Sequence, residues 1–242
     1  MTEKNYHFHP LPWDTEYFGI NSARVNLSGI VDENGQAEIL DFCKDYEFVT
    51  LSNHDNINEN NHWIGKRTTA YLVDMNIQFL KRINQRPDHL DTETSIANNL
   101  SRNDKIIDIS RNSFNYSRFF NDPQLPHLQA KQIYQHWTEC AFDQKDKYFV
   151  ISERAGLITG YILFSFVEDT SLIELIAVDK KHQGQKIGKS MIHALESYVL
   201  NQGIQKIKVG TQVNNIQAVQ FYHAMGYKYA GCGSVYHWWG RH

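Results

Sequence analysis

The 242-residue sequence has few cysteines, no long apolar run and no large excess of charge of either sign. Its three cysteines, Cys43, Cys140 and Cys232, are far apart and lack the C-x-x-C spacing of metal and redox sites, so we interpret them as reduced thiols. No apolar run reaches the roughly 20 residues of a membrane span, and the polar N-terminus lacks the apolar segment of a secretory signal. These absences predict a cytoplasmic protein without disulfide bonds.

The charge balance gives no reason to expect a nucleic-acid ligand. The formal net charge is −3, and lysines and arginines are scattered instead of forming a basic stripe. Histidines show no H-E-x-x-H or other ligand spacing, so no metal is expected. With 41% hydrophobic and 21% charged residues, the composition is that of a globular chain long enough for one large or two small cores.

The most informative stretch is a polar loop at residues 182–189, which follows the apolar run 172–178 and opens an amphipathic helix. The first backbone N–H groups of a helix lack internal partners and favour negative charge, so a phosphate binds well there. Glycines in this loop allow close approach of a ligand, and lysines supply countercharge. A purely structural turn would have the same pattern, and what favours a phosphate site is the sequence downstream.

An alternating strand at residues 206–213 is followed by a second motif at 215–227. The loop resembles the acyl-CoA-binding motif of the GCN5-related N-acetyltransferases (GNAT), with Gln183 and Gly188 at its ends and Lys186 where the family usually has its inner glycine. The downstream segment resembles another motif of the family, filled here by Asn215, Ala218, Tyr222 and Gly226-Tyr227.

This resemblance implies acetyl-CoA as co-substrate. The residues expected to bind it are Ile176, Val178, Gln183, Gly184, Gln185, Lys186, Ile187, Gly188, Lys189, Asn215 and Ala218. Tyr222 matches the family tyrosine that protonates the departing thiolate; packing within a helix is its alternative role. Asn215 would look the same as a plain helix N-cap.

Glu174 is the candidate base. By the period of two it shares a face with Ile176 and Val178, where it could relay a proton through water. A solvated glutamate on an exposed strand face is an equally good interpretation.

The resemblance covers about residues 105–239 and implies an α+β fold, the GNAT fold, with a smaller N-terminal α/β module. We predict residues 1–104 as that module, with a linker at about 81–104, and 105–242 as the catalytic domain. In the second part we predict a strand at Ile106–Ile109, a helix over 127–142 and three strands within 148–178. In the first we predict strands at 23–27, 48–52 and 70–80, a helix over 36–46 and a short helix that Gly65 ends.

A narrower resemblance concerns the N-terminal part. The segments 13–19, 71–74 and 117–119, with Trp137 downstream, are similar to dTDP-fucosamine acetyltransferases of surface-polysaccharide synthesis. The implied acceptor is a nucleotide-linked amino-dideoxysugar, with a dTDP-sugar favoured. Its expected binding residues are Trp13, Tyr17, Phe18, Arg118 and Phe119, although the aromatic segment also fits a hydrophobic plug over the core.

Other functions remain open at this stage. The acceptor amine could belong to an amino acid, an antibiotic or a peptide N-terminus, or the chain could be an acyl-CoA-binding module without catalysis. The presence of Tyr222 and Asn215 favours an enzyme. A diphosphate would need Arg or Lys, for which Arg24, Arg118 and Lys66-Arg67 are candidates. The sequence leaves the identity of the sugar and the oligomeric state open, a homodimer being one option.

Overall fold

A computed structural model describes residues 4–240. Its strands are Tyr6–Pro10 (β1), Ser22–Leu27 (β2), Phe48–Asn53 (β3), Tyr71–Arg82 (β4), Thr94–Asn98 (β5), Tyr148–Arg154 (β6), Leu157–Val167 (β7), Thr170–Val178 (β8), Lys206–Gln212 (β9) and Lys228–Trp239 (β10). Its helices are Pro12–Phe18 (α1), Glu33–Cys43 (α2), Asn58–Arg67 (α3), Asp104–Ser113 (α4), His127–Ala141 (α5), Ile187–Asn201 (α6) and Ile216–Ala224 (α7).

All ten strands belong to one mixed sheet with the order β1-β2-β3-β10-β4-β9-β8-β7-β6-β5. The C-terminal strand β10 lies between β3 and β4, and β4 lies between β10 and β9. Strand pairing therefore crosses the boundary that we predicted between residues 104 and 105. The functional division at this boundary stays a prediction. Along the described chain, 4–240, no helix has both the length and the apolar character needed to cross a bilayer.

Helices cover both faces of the sheet and divide the apolar side chains among three clusters. Side chains of α1, α4 and α5 pack on Phe149, Tyr161 and Leu163, and we call this side the α4/α5 face. Side chains of α6 and α7 pack against Ile162 and Phe164, and we call this side the α6/α7 face. A third cluster joins α2 and α3 to β2, β3 and β10.

The sheet opens between β8 and β9, which are parallel neighbours, as are β2 and β3. The pairing of β8 with β9 runs from Thr170 opposite Lys206 to Ile173 opposite Val209. Beyond that point β8 continues beside β7 to Val178, and β9 continues beside β4 to Gln212. The two strands therefore diverge, and the divergence makes an opening between the two faces of the sheet.

A β-bulge lies at the same place. Leu163 pairs with Leu175 and Phe164 pairs with Ile173, so Glu174 is an extra residue in β8. A bulge interrupts the alternation of side chains. As a result Ile173 packs on the α6/α7 face, whereas Leu175 packs on the α4/α5 face.

Three local predictions are wrong. Residues 106–109 belong to α4 instead of a strand, because Ile106, Ile107, Ile109 and Ser110 form one buried helical face. The Asn103 side chain accepts hydrogen bonds from two amides of the first turn and marks the helix start. The predicted linker contains β5, a polar edge strand that pairs with β6. Gly65 lies inside α3, which continues to Arg67 and is followed by extended backbone at Thr68.

Candidate active site

A cleft of about 910 Å³ passes through the opening between β8 and β9. On the α6/α7 face it is bounded by the loop 182–189 and by α7. On the α4/α5 face it is bounded by residues 113–118 and by α5. Ligand cavities for small molecules commonly have several hundred Å³. Two ligands that enter from opposite faces would meet at the opening.

The N-terminus of α6 is built to receive an anion. Lys186 stands at the N-cap position, no side chain caps the helix, and its first turn contains no acidic residue. The amides of the first turn therefore have no side-chain acceptor, and the helix dipole adds positive potential. By contrast, Asn215 caps α7 and accepts a hydrogen bond from the Ala218 amide at 3.2 Å. The open end at α6 matches the predicted pyrophosphate site.

Two residues of this loop have left-handed backbone. Gly184 has a φ of +79° and Lys186 a φ of +61°. A left-handed conformation is easy for glycine and costly for lysine, which explains why a glycine is usual where this chain has Lys186. The substitution is therefore accommodated by backbone strain, and the amide stays in place.

The predicted acetyl-CoA residues come together around the cleft. Its lining includes Ile176, Val178, Gln183, Gly184, Lys186, Ile187, Gly188, Lys189, Asn215 and Ala218. Gln183 donates a hydrogen bond to the Val178 carbonyl at 3.4 Å. Gly188 faces Phe221 of α7, whose ring lies 3.3 Å from the position that a Cβ would occupy. Close packing of α6 on α7 thus depends on this glycine. Gln185 follows Gly184 in the same loop.

Tyr222 lies on α7, lines the cleft and has 3% of its surface exposed. Its ring centroid is 5.7 Å from that of Phe79 on β4 and 5.6 Å from that of Tyr227. Burial raises the pKa of the Tyr222 hydroxyl. The phenol therefore keeps its proton at neutral pH, as a proton donor to a leaving thiolate must.

Glu174 also lines the cleft, but its carboxylate is engaged. It accepts hydrogen bonds from Lys147 at 2.7 Å and from Ser165. The neighbours of Ser165 in sequence, Phe164 and Phe166, pack on the α6/α7 face, so the Glu174 carboxylate lies on the opposite face. The predicted shared face with Ile176 and Val178 is therefore wrong, because the bulge breaks the period of two. The contacts of Glu174 favour a structural role, and its role as base stays a prediction.

The α4/α5 face carries a group of charged side chains beside the cleft. Arg118 lines the cleft and faces Arg24, Asp14 and Asp74. Burial and the positive charge of Arg24 lower the pKa of Arg118 to about 10, so it stays charged at neutral pH. The Nε atoms of Arg24 and Arg118 are buried and have no hydrogen-bond partner among residues 4–240.

Strand register explains how Arg24 reaches this group. Arg24 pairs with Thr50, Thr50 pairs with His237, and His237 pairs with Tyr71. Directly paired residues project to the same face, which makes one polar row across four strands. His237 donates from Nδ1 to Asp122 at 2.6 Å, and Asp122 also accepts from the Tyr71 hydroxyl at 2.6 Å. Burial lowers the His237 pKa, and its Nε2 has no partner within the described chain.

The other predicted acceptor residues lie beside the charged group. Phe18 and Phe119 are core residues with 5% and 1% of their surface exposed. Trp13 and Tyr17 stack at a centroid distance of 5.1 Å and pack against His136 of α5. These contacts match the alternative interpretation of the segment as a plug, except that α1 also carries Asp14. Their role in acceptor binding stays a prediction.

Sequence reasoning missed two features. It assigned no role to Asp74, although Asp74, Asn76 and Gln78 put polar groups on one face of β4, a strand with neighbours on both sides. It also missed the Asp122–His237 pair, whose partners are more than a hundred residues apart. Lys66 and Arg67 lie on α3, where Arg67 bonds Gln36 at 3.1 Å. Among the residues that the structure describes, no group of three or more His, Cys, Asp or Glu could hold a metal.

Comparisons with known proteins show which families this architecture resembles. Residues 110–227 match the model of the acetyltransferase (GNAT) family. A 134-residue stretch is 28% identical to the spore coat polysaccharide biosynthesis protein SpsD of Bacillus subtilis and covers 55% of this chain and 46% of that protein. A second relative, the uncharacterized N-acetyltransferase MJ1530 of Methanocaldococcus jannaschii, is 35% identical over 33% of this chain and 52% of its own length. The chain thus spans about half the length of these curated relatives.

The fold comparison extends over nearly the whole chain. A GCN5-related N-acetyltransferase from Sphaerobacter thermophilus superimposes with a TM-score of 0.63 at 11% identity, covering 99% of this chain and 78% of that structure. The sheet with its opening between parallel strands is therefore the GNAT fold. Residues 110–227, which match the acetyltransferase (GNAT) family model, hold the loop 182–189, Asn215 and Tyr222.

Proposed function

We propose that the protein transfers the acetyl group of acetyl-CoA to the amine of a nucleotide-linked amino-dideoxysugar, with a dTDP-sugar favoured, for surface-polysaccharide synthesis. The observation that carries the acceptor assignment is a pair of arginines, Arg24 and Arg118, whose Nε atoms are buried and have no partner among residues 4–240. An arginine binds phosphate oxygens in a bidentate way. Two of them beside the cleft suit a diphosphate.

The two faces of the sheet would then hold the two substrates. The uncapped N-terminus of α6 receives the pyrophosphate of acetyl-CoA. The arginine pair on the α4/α5 face receives the nucleotide sugar, and the reacting groups meet at the opening between β8 and β9. The polysaccharide role of the relative SpsD is consistent with such an acceptor.

Transfer requires a neutral amine, stabilisation of the oxyanion and protonation of the thiolate. The divergence of β8 from β9 frees backbone groups near the opening, where an N–H can face the thioester oxygen. Tyr222 supplies the proton for the sulfur. The amine attacks the thioester directly, so no acetylated enzyme forms.

The test of this proposal is an assay for free thiol. The protein and acetyl-CoA are incubated with each member of a panel of nucleotide amino-sugars, amino acids, aminoglycosides and peptides, and the released thiol is measured. We expect release with the nucleotide sugars. Arg24→Gln and Arg118→Gln should each raise the acceptor KM at least tenfold and spare the KM for acetyl-CoA. Arg111→Gln is the matched control, because Arg111 is exposed on α4 and bonds Gln135 at 2.8 Å.

The alternatives predict different results. Release with an amino acid, an antibiotic or a peptide, and with no nucleotide sugar, would show a GNAT enzyme for another amine. CoA binding in calorimetry without thiol release from any amine would show a non-catalytic module.

A further inference from the structure

Asp74 lies next to the part of the cleft that faces α4 and α5. On β4 it lies two residues before Asn76. Asn76 lines the cleft and pairs with Gln212. Asp74 pairs with Val235, which is two residues from His237 on the same face of β10. It has 8% of its surface exposed and interacts with Arg118 and the Gln212 side chain. Both partners line the cleft, so the Asp74 carboxylate lies at its edge, where it can reach an acceptor amine directly or through one water molecule.

We infer that Asp74 is the general base that removes a proton from the ammonium group of the acceptor. This inference rests on the proposed transferase function and adds the group that it lacks. Glu174, the base predicted from the sequence, is held by Lys147 and Ser165. Asp14, the other buried carboxylate of the charged group, lies on α1 beside Arg24 and Arg118.

The charges also fit an acceptor with two signs of charge. Among these three charged neighbours, Arg24 has the largest effect on the pKa of Arg118, Asp14 a smaller one and Asp74 the smallest. The arginine pair therefore suits the diphosphate, and Asp74 suits the ammonium group. An ammonium group cannot attack a carbonyl because its nitrogen has no lone pair, so it must first lose a proton. The carboxylate that attracts the ammonium group can also accept this proton.

The proton balance closes without another reactant. Asp74 takes one proton from the ammonium group, and the amine forms a C–N bond to the thioester carbon. The C–S bond then breaks, and Tyr222 gives its proton to the sulfur. The proton that the new amide nitrogen loses returns to the Tyr222 oxygen, and Asp74 releases its own proton to solvent. The products are the N-acetyl sugar, free CoA and one proton.

The surroundings of Asp74 suit this role. Burial raises its pKa to about 6, whereas Arg118, the Met75 amide and Gln212 favour the ionised form. The titratable groups that face it are Arg118 from the loop after α4, Tyr134 from α5 and Cys232 from β10. The carboxylate is therefore ionised at neutral pH and more basic than an exposed aspartate. A base works best when its pKa lies near the working pH.

The test is the pH dependence of kcat/KM for the amine that the wild-type enzyme acetylates. In the wild type we expect an acidic limb near pH 6. Asp74→Asn should lower kcat/KM by about a hundred- to ten-thousand-fold at pH 7 and leave the KM for acetyl-CoA unchanged. Its residual rate should rise about tenfold per pH unit up to the amine pKa, because only free amine reacts. Asp14→Asn distinguishes the two carboxylates: whatever its effect on the acceptor KM, it should keep the acidic limb if Asp74 is the base.

Thermal unfolding shows whether the variant is folded and adds a second readout. The folded pKa of Asp74 lies above its value of 3.8 in a model compound, so the ionised carboxylate destabilises the fold above pH 6 and this effect disappears as the pH falls to about 4. Asp74→Asn should therefore raise Tm at pH 8 and match the wild type near pH 4. A lower Tm together with lost activity would show a structural role and overturn the inference.

The inference would also be overturned if Asp74→Asn had wild-type activity, or if its pH profile of kcat/KM kept the acidic limb of the wild type. If Asp74→Asn does not fold, the pH profiles of the wild type and of Asp74→Glu are compared instead. A wild-type profile without an acidic limb, or an acidic limb at the same pH in both proteins, would show that Asp74 is not the base. If the wild type acetylates another amine instead of nucleotide sugars, the acceptor proposal fails and the same test is run with that amine. If no amine is acetylated, both proposals fail.

Discussion

Tyr222 shows how burial sets the protonation state of one residue. An exposed phenol loses its proton near pH 10, and burial raises the Tyr222 pKa further. The protein therefore contains a neutral hydroxyl group at the cleft, which in the proposed reaction protonates the departing thiolate. Packing against Phe79 and Tyr227 fixes the ring in that position.

Tyr222→Phe keeps this packing and removes the proton donor. We expect kcat to fall by about a hundred- to ten-thousand-fold, with little change in the KM for acetyl-CoA, because the lost interaction forms mainly in the transition state. Steady-state kinetics at saturating acetyl-CoA measures the effect. Tyr229→Phe is the control, since Tyr229 is 65% exposed on β10. Full kcat in Tyr222→Phe would leave Tyr222 with a packing role only.

At the scale of elements, the sequence predicts best where the pattern is local. The helices α5 and α6 and the strands β6, β7 and β8 follow from periodic apolar residues. Three isoleucines within four residues look like a strand, and this pattern hides the helix α4 and its cap at Asn103. The edge strand β5 was missed because only one side of it is paired, so its pattern is largely polar. The bulge at Glu174 has no local signal.

The contact of α6 with α7 couples the loop 182–189 to the helix that carries Tyr222. A Cβ at Gly188 would lie 3.3 Å from two carbons of the Phe221 ring. We expect Gly188→Leu to push α7 away from the first turn of α6 and to abolish CoA binding in calorimetry, with the far-UV spectrum unchanged. Lys186→Gly is the comparison and should weaken binding only a few-fold, because the amide stays, one partly solvated charge is lost and glycine adopts φ +61° easily. Equal affinity in Gly188→Leu and the wild type would contradict the assignment of the loop.

At the scale of the whole molecule, the order of strands decides which residues meet on the α4/α5 face of the sheet. Arg24 belongs to the charged group because β10 lies between β3 and β4 and continues the polar row from Arg24 and Thr50 to Tyr71. His237 on β10 and Asp122 in the loop before α5 then pair across 115 residues of sequence. Such long-range pairings are invisible to periodicity and spacing. Motifs therefore named most of the residues that line the cleft on the α6/α7 face and also Arg24 and Arg118, whereas the grouping of these arginines with Asp14 and Asp74 emerged only from the structure.

The same strand order predicts how the chain responds to being divided at the proposed boundary. In a fragment of residues 1–104, β4 loses both of its neighbours, β9 and β10, and β5 loses β6. In residues 105–242, β9 and β10 lose the strand that lies between them. Each fragment would expose backbone N–H and C=O groups that pair in the full chain, and unpaired buried groups are costly. We expect neither fragment alone to show a cooperative thermal transition, and co-expression to restore one complex that binds CoA. A cooperative transition in the fragment 1–104 alone would show that this segment is an independent unit and that its pairing with β9 and β10 is not needed for folding.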